Sequence, residues 1–208
     1  MPTSISHIIT SIQHSINDNV DEVTELDRAI GDGDHVINLQ RGLEALDKIS
    51  DELTTQDWSA ALMKIGMTLM STMGGASGSL FGTLFVSMAK AAKDKEFNSS
   101  TFPEIFAQGV ESVKQRGKAD IGEKTMLDTL IPVANSLLAD SQGNVEFNQM
   151  LDNVVQQAIK GMESTKDLIA TKGRASFLGE RSKGHIDAGA RTSQLMICAI
   201  VEVLEQQE

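Results

Sequence analysis

The sequence predicts an all-α fold, and three observations carry that prediction. Apolar residues recur at helical spacing through most of the 208 residues. Aromatics are scarce, with no Tyr and one Trp against ten Met, so the core must be built from Leu, Ile, Met, Val and Ala, which suit helices better than strands. Neither repeats nor low-complexity tracts nor a dividing linker interrupt the pattern, so residues 1–208 read as one domain, whose 40% hydrophobic and 23% charged residues are ordinary for a globular chain.

Eight stripes follow in order. Ile5, Ile8, Ile9, Ile12, Ile16 and Val20 form the first, with Thr3 or Ser4 as its cap. Ile37, Leu43, Leu46 and Ile49 form the second. Asp57 caps a third that carries Trp58, Ala61, Leu62, Ile65, Leu69, Met70 and Met73. After a glycine-rich break, Leu80, Phe81, Leu84, Phe85 and Met88 mark the fourth. Thr101-Phe-Pro-Glu opens the fifth with a cap, an early proline and an acid near the positive helix end. Leu127, Leu130, Ile131, Ala134 and Leu138 give the sixth; Phe147, Leu151, Val154, Val155, Ala158 and Met162 the seventh; Leu195 to Leu204 the eighth.

The net charge of −11 sets a nucleic-acid backbone or an anionic membrane at a disadvantage. A phosphate ligand would need a local device, either a metal ion or a helix N-terminus. Cys198 is the only cysteine, which excludes an internal disulfide, and its apolar surroundings suggest an inert buried thiol. The N-terminus shows no basic-then-apolar leader and no apolar run reaches spanning length, so a reducing cytoplasm is the expected location.

Four connections, after the first, third, fifth and seventh helices, are rich in Gly and polar residues: Leu26–His35, Gly74–Ser79, Arg116–Lys124 and Lys172–Gly189. In an antiparallel bundle they meet at one rim, where a site would be built. Asp27, Asp32 and Asp34 lie in the first, with Gly31 and Gly33 allowing sharp turns. Carboxylates on such a turn suit Mg²⁺. The alternative is a solvated acidic turn that caps the next helix. The spacing does not make a calcium hand, because no bidentate Glu follows.

Gly74-Gly-Ala-Ser-Gly-Ser79 opens a helix whose free amides, with the Ser77 hydroxyl, can take an anion, or else it is a tight helix–helix joint. It is no Walker loop, since no Gly-Lys-Ser/Thr follows. Lys118, Lys124, Lys172, Arg174, Arg181 and Lys183 could neutralise phosphates, dock an acidic partner, or simply form a solvated rim. His35 and His185 are candidate acid–base groups, His185 more for structure or docking. Met73, Met126 and Leu130 are core, with one or two able to wall an adenine ring.

Taken in order, Leu-Asp-Arg…Gly-Asp-Gly-Asp-His…Asn, Gly-Gly-Ala-Ser-Gly, Arg-Gly-Lys-Ala…Gly-Glu-Lys-Thr-Met-Leu-Asp and Lys-Gly-Arg-Ala-Ser-Phe-Leu-Gly-Glu-Arg-Ser are specific. From about residue 20 to 195 the chain closely resembles the ADP-binding subunit of bacterial phosphotransferase-system-dependent dihydroxyacetone kinases. The resemblance implies an eight-helix antiparallel barrel with the nucleotide at one end. It implies that ADP stays bound as a coenzyme, is rephosphorylated to ATP by a phosphohistidine on a phosphotransferase subunit, and yields its γ-phosphoryl to dihydroxyacetone on a sugar-binding subunit. Asp27, Asp32 and Asp34 match ligands of two Mg²⁺ ions. His35, Val36, Ile37, Asn38, Ala76, Ser77, Gly117, Met126, Arg174, Asp187, Ala188 and Gly189 match nucleotide contacts.

Several positions depart from the family pattern. Val36 replaces Gly, Leu39 replaces Met, Ser79 and Ala188 each replace Pro, and Arg191 adds a cation. Val36 stands out because a β-branched residue resists φ > 0 and fills space near phosphate. The alternatives are a kinase component for another small ketose or for free ATP, and a nucleotide-bound regulatory protein that contacts a transcriptional regulator. A homodimer is compatible with all of them.

Overall fold

The computed structural model describes residues 5–206, so the caps expected at Thr3 or Ser4 lie outside the described residues. Among the described residues there are ten α-helices, two 3-10 segments and no strand. The helices are α1 (Ile5–Asp18), α2 (Val20–Ile30), α3 (His35–Asp47), α4 (Ser50–Thr54), α5 (Trp58–Thr72), α6 (Gly75–Ala92), α7 (Phe102–Gly117), α8 (Leu127–Gln142), α9 (Phe147–Ser164) and α10 (Ala188–Glu205). The 3-10 segments are Thr165–Asp167 and Arg174–Ser182.

Eight helices form a closed antiparallel ring in chain order. Each of α1, α3, α5, α6, α7, α8, α9 and α10 packs on the next, and α10 returns to α1. Their inward stripes fuse into one cluster that includes Ile16, Leu39, Leu69, Phe81, Val113, Leu127, Val154 and Leu195. Burying such side chains supplies the main folding force, roughly 25 cal/mol per Å² of apolar surface removed from water. Among the described residues no helix is long and apolar enough to cross a membrane.

Two helices go beyond the eight stripes. Val20, Val23, Leu26 and Ile30 keep helical spacing, while Asp21 and Glu22 at the start and Arg28 near the end complement the dipole, so α2 forms where a loop was expected from Leu26 onward. Only Gly31–Asp34 is left as a turn. The short α4 is held by Leu53, which is fully buried.

Caps also differ in part. Asp57 accepts from the Ala60 amide at 2.8 Å, as expected. Thr101 makes no side-chain cap bond to α7. Asn98 instead accepts from the Ser100 and Thr101 amides, and the Thr101 hydroxyl donates to the Glu96 carbonyl. Trp58 stacks on Phe97 with ring centroids 4.2 Å apart, closing the barrel end opposite the four glycine-rich connections.

Candidate functional site

The α2–α3 turn, the α5–α6 joint, the α7–α8 connection and the long segment before α10 surround one cavity of about 430 Å³. That volume suits a nucleotide-sized ligand. Asp27, Asp32, Asp34, His35, Asn38, Ala76, Ser77, Gly117, Met126, Arg174, Asp187, Ala188 and Gly189 all line it. Two expected contacts do not. Val36 is 2% exposed and packs into the core, and Ile37 is 55% exposed and points away from the cavity. Both follow from α3 starting at His35: successive helical residues diverge by about 100°, so only His35 and Asn38 face the cavity. Val36 has no positive φ, so its β-branch meets no backbone conflict.

One oxygen from each of Asp27, Asp32 and Asp34 lies within 4.8 Å of the others. Gly31 makes this possible, because a Cβ there would sit 2.1 Å from Asp27 Oδ1; Gly33 supplies the left-handed step at φ +76°. Asp34 stands at the N-cap of α3 but makes no cap bond, and the His35 amide donates instead to Asp27 Oδ2 at 3.0 Å. The Asp34 carboxylate is therefore not spent on capping. Asp32 Oδ2 accepts from the Arg174 guanidinium at 2.9 Å, which ties the turn to the second 3-10 segment. Three hard anionic oxygens so close repel one another unless a cation joins them, and they fit Mg²⁺ better than a softer metal.

Opposite them, α6 begins directly after Gly74, so Gly75 to Ser77 form its first turn rather than a loop. The first amides of a helix have no intrahelical partner and offer N–H groups to an anion. The joint is tight: a Cβ on Gly78 would lie 2.0 Å from the Met73 carbonyl oxygen. Ser79, in place of a proline, accepts from Arg116 Nε at 2.9 Å and joins α6 to α7.

His35, a candidate acid–base group, is held between two hydroxyls. Its Nδ1 is 3.1 Å from Ser77 Oγ and its Nε2 is 2.9 Å from Thr192 Oγ1, so both nitrogens are engaged with hydroxyls. Burial pushes its pKa below the usual histidine value, more than Asp27 and Asp34 raise it. A neutral His35 thus fastens the starts of α3, α6 and α10 together. His185 is exposed and contributes its carbonyl to Lys124.

Lys124, one of the cations that could neutralise phosphates, dock a partner or form a solvated rim, is 1% exposed. Its ammonium donates to the carbonyls of Thr165 and His185. Burial lowers its pKa while Asp187, Asp128 and Asp167 raise it. Asp187 caps α10, accepting from the Ala190 amide at 2.8 Å, and its carboxyl is pushed up to about 6, first by burial and further by Asp128 and Asp27, against that cap bond and Lys124. Ala188 occupies the first helical position after this cap, a place where proline is at home and alanine is a good helix former, so α10 starts there regardless. Arg191 turns away to hold Glu22 bidentately at 3.1 and 2.7 Å, clamping α10 to α2.

Of the residues not foreseen, Arg116 and Thr125 line the cavity from α7 and the connection after it, beside the candidate cation Lys124. Arg116 opens the segment marked as glycine-rich and basic, and Thr125 directly follows it.

The sequence profile of the DAK2 domain matches residues 29–202. The chain is 42% identical over 90% of its length, and 89% of the relative, to the ADP-binding subunit DhaL of PEP-dependent dihydroxyacetone kinase 1 from Listeria innocua. It is 40% identical, over 91% of each chain, to the ADP-binding subunit DhaL of the PTS-dependent dihydroxyacetone kinase from Lactococcus lactis. Among solved structures, the dihydroxyacetone kinase of C. freundii in complex with AMP-PNP and Mg²⁺ superposes with a TM-score of 0.76 at 22% identity, over 97% of this chain and 34% of that one. At that identity the likeness speaks for the fold.

Proposed function

The chain belongs to the DAK2 domain family, and from that premise we propose that it is the cytoplasmic nucleotide-binding subunit of a phosphoenolpyruvate-dependent dihydroxyacetone kinase. In this reading it keeps Mg²⁺-complexed ADP as a coenzyme. A phosphohistidine on a phosphotransferase subunit supplies the phosphoryl group, and dihydroxyacetone on a sugar-binding subunit receives it.

The convergence of Asp27, Asp32 and Asp34 at the mouth of a nucleotide-sized cavity carries the proposal. These carboxylates would hold two Mg²⁺ ions. When bound, the metals would neutralise phosphate charge and leave an in-line path open. The chain's own residues do the rest. Ala76 and Ser77 present the first-turn amides of α6 to the phosphates. Arg174, on the exposed 3-10 segment, stands where a guanidinium can exchange the Asp32 carboxylate for a phosphate oxygen. Met126 gives an apolar wall suited to a purine face, and Asp187 with Gly189 offers polar groups for the sugar or base edge. Among the described residues lining the cavity His35 is engaged on both nitrogens and the acidic trio is given to the metals. Deprotonation of the acceptor hydroxyl belongs, in this reading, to the sugar-binding partner.

Native mass spectrometry of gently purified protein is the direct test. The expected result is a mass increment of ADP with two divalent ions, and conversion of that ADP to ATP by a labelled phosphohistidine donor. Protein that carries no nucleotide and does not take up Mg-ADP when it is offered would end the proposal.

A further inference from the structure

Lys124 is a heavily constrained side chain at the cavity that the proposed chemistry does not use. It is 1% exposed, and it holds φ 60°, a left-handed backbone that a side chain of this size rarely adopts. A strained backbone that places a buried cation has to be maintained by what the cation does. Its ammonium donates to the carbonyl of Thr165, at the end of α9, and to that of His185, in the segment leading to α10. An ammonium has three donors, and these two carbonyls leave one for the cavity it lines.

The same three segments are cross-tied around it. Asp187 N donates to Thr165 Oγ1 at 3.0 Å, and Gly184 N to the Lys166 carbonyl at 2.7 Å. Asp128, itself buried, accepts from the Gly122 and Thr125 amides and so shapes the connection from which Lys124 projects. Removing the ammonium would leave two carbonyls without their donor beneath Asp187 and Ala188, the residues that open α10 onto the cavity.

We propose that Lys124 is a positioning residue for the nucleotide: by gathering the Thr165 and His185 carbonyls onto one buried cation it fixes the cavity floor formed by Asp187, Ala188 and Gly189, and so sets nucleotide affinity. This rests on the nucleotide-binding reading above. The role differs from that of the acidic trio, because Lys124 acts through the protein backbone.

The test uses the full chain in a Cys198→Ala background, with Mg-ADP binding followed by calorimetry well below the melting temperature. Lys124→Met keeps the apolar stem and deletes the ammonium, and is expected to weaken Mg-ADP by about tenfold or more in protein that is still folded. Lys124→Cys alkylated with 2-bromoethylamine regains a side chain of lysine length and charge, and is expected to return the affinity to within about threefold of the parent. Loss of folding stability alone would not produce that pair of results. Should Lys124→Met not hold its fold, Lys124→Gln, which keeps a donor for one carbonyl, carries the same expectation. A folded neutral variant that binds Mg-ADP like the parent, or an alkylated Lys124→Cys as weak as the untreated one, overturns the inference. A parent that binds no Mg-ADP instead removes the proposed function on which it stands.

Discussion

Asp187→Asn isolates the cost of keeping a half-buried carboxylate at the cavity floor. The Asp187 carboxyl titrates at about 6 in the folded chain against an ordinary 3.8. Its folded-state pKa is raised, so the native state holds the proton more tightly than the unfolded state between these values, and stability falls as pH climbs through that window. Above it the deficit is 2.2 pH units at about 1.36 kcal/mol each, or about 3 kcal/mol at pH 7 and roughly half that at pH 5. Asparagine keeps the cap, since its carbonyl oxygen can accept from the Ala190 amide as Asp187 does at 2.8 Å. The variant, free of metal and nucleotide, should therefore be more stable than the parent by up to about 3 kcal/mol at pH 7, a rise in Tm of roughly 6–12 °C for a chain of this size. Thermal unfolding of both proteins at pH 5 and pH 7 is the assay. A gain of the same size at both pH values, or a variant less stable at pH 7, would refute the argument. The corollary is that the α10 cap, which asparagine supplies equally, does not by itself account for a carboxylate at this position.

Three further outcomes follow from particular contacts. Asp32→Ala should lose metal and nucleotide together, with Mg-ADP affinity reduced by more than about tenfold; calorimetry that finds chelator-resistant ADP binding would count against metal-bridged binding. Gly78→Ala should destabilise by roughly 3 kcal/mol or more in urea unfolding, because its Cβ would collide with the Met73 carbonyl oxygen 2.0 Å away and the α5–α6 joint is backbone on both sides. His35→Phe should cost roughly 1–3 kcal/mol by stranding the Ser77 and Thr192 hydroxyls, yet leave the pH profile of phosphoryl transfer unchanged in shape; a lost limb in that profile would restore an acid–base role.

The fold was legible because its determinant is periodic. A stripe such as Leu127, Leu130, Ile131, Ala134 specifies a helix and its buried face at once, and glycine-rich joints at alternate connections specify which end collects them. α2 was missed for the converse reason: Asp27, Arg28 and the glycines after them look like loop chemistry, while its packing against α3 and α10 is a tertiary fact. The acidic trio could be read as a cluster from spacing alone, but whether Asp34 capped a helix or was left free depended on Asp27 taking the His35 amide. Lys124 and Arg191 show the limit most clearly. Both are cations in polar stretches, and nothing in their neighbours says that one is buried beneath the cavity while the other is tied to Glu22. Long side chains choose partners across the fold, where sequence spacing gives no guide.

The charge of the cavity explains how a chain of net charge −11 can suit a polyphosphate. Four carboxylates line it, from Asp27, Asp32, Asp34 and Asp187, against four cations, from Arg116, Lys124, Lys172 and Arg174, so the lining itself is formally neutral. A bare diphosphate of about −3 would enter a neutral pocket set in a negative field, with the first-turn amides of α6 as its main local compensation. The two divalent cations of the proposal would reverse the balance to about +1 with the ligand in place. The cations are also sorted in space: Arg174 and Asp32 pair at the mouth, whereas Lys124 is locked beneath the floor. Replacing the acidic trio by lysines would carry the total to about +3 with the ligand in place, and it would fix that charge in the protein instead of in exchangeable ions. Under the proposed function the acidic cluster is thus a condition for metal-mediated binding, because carboxylates make the retention of the metals, and through them the nucleotide, favourable.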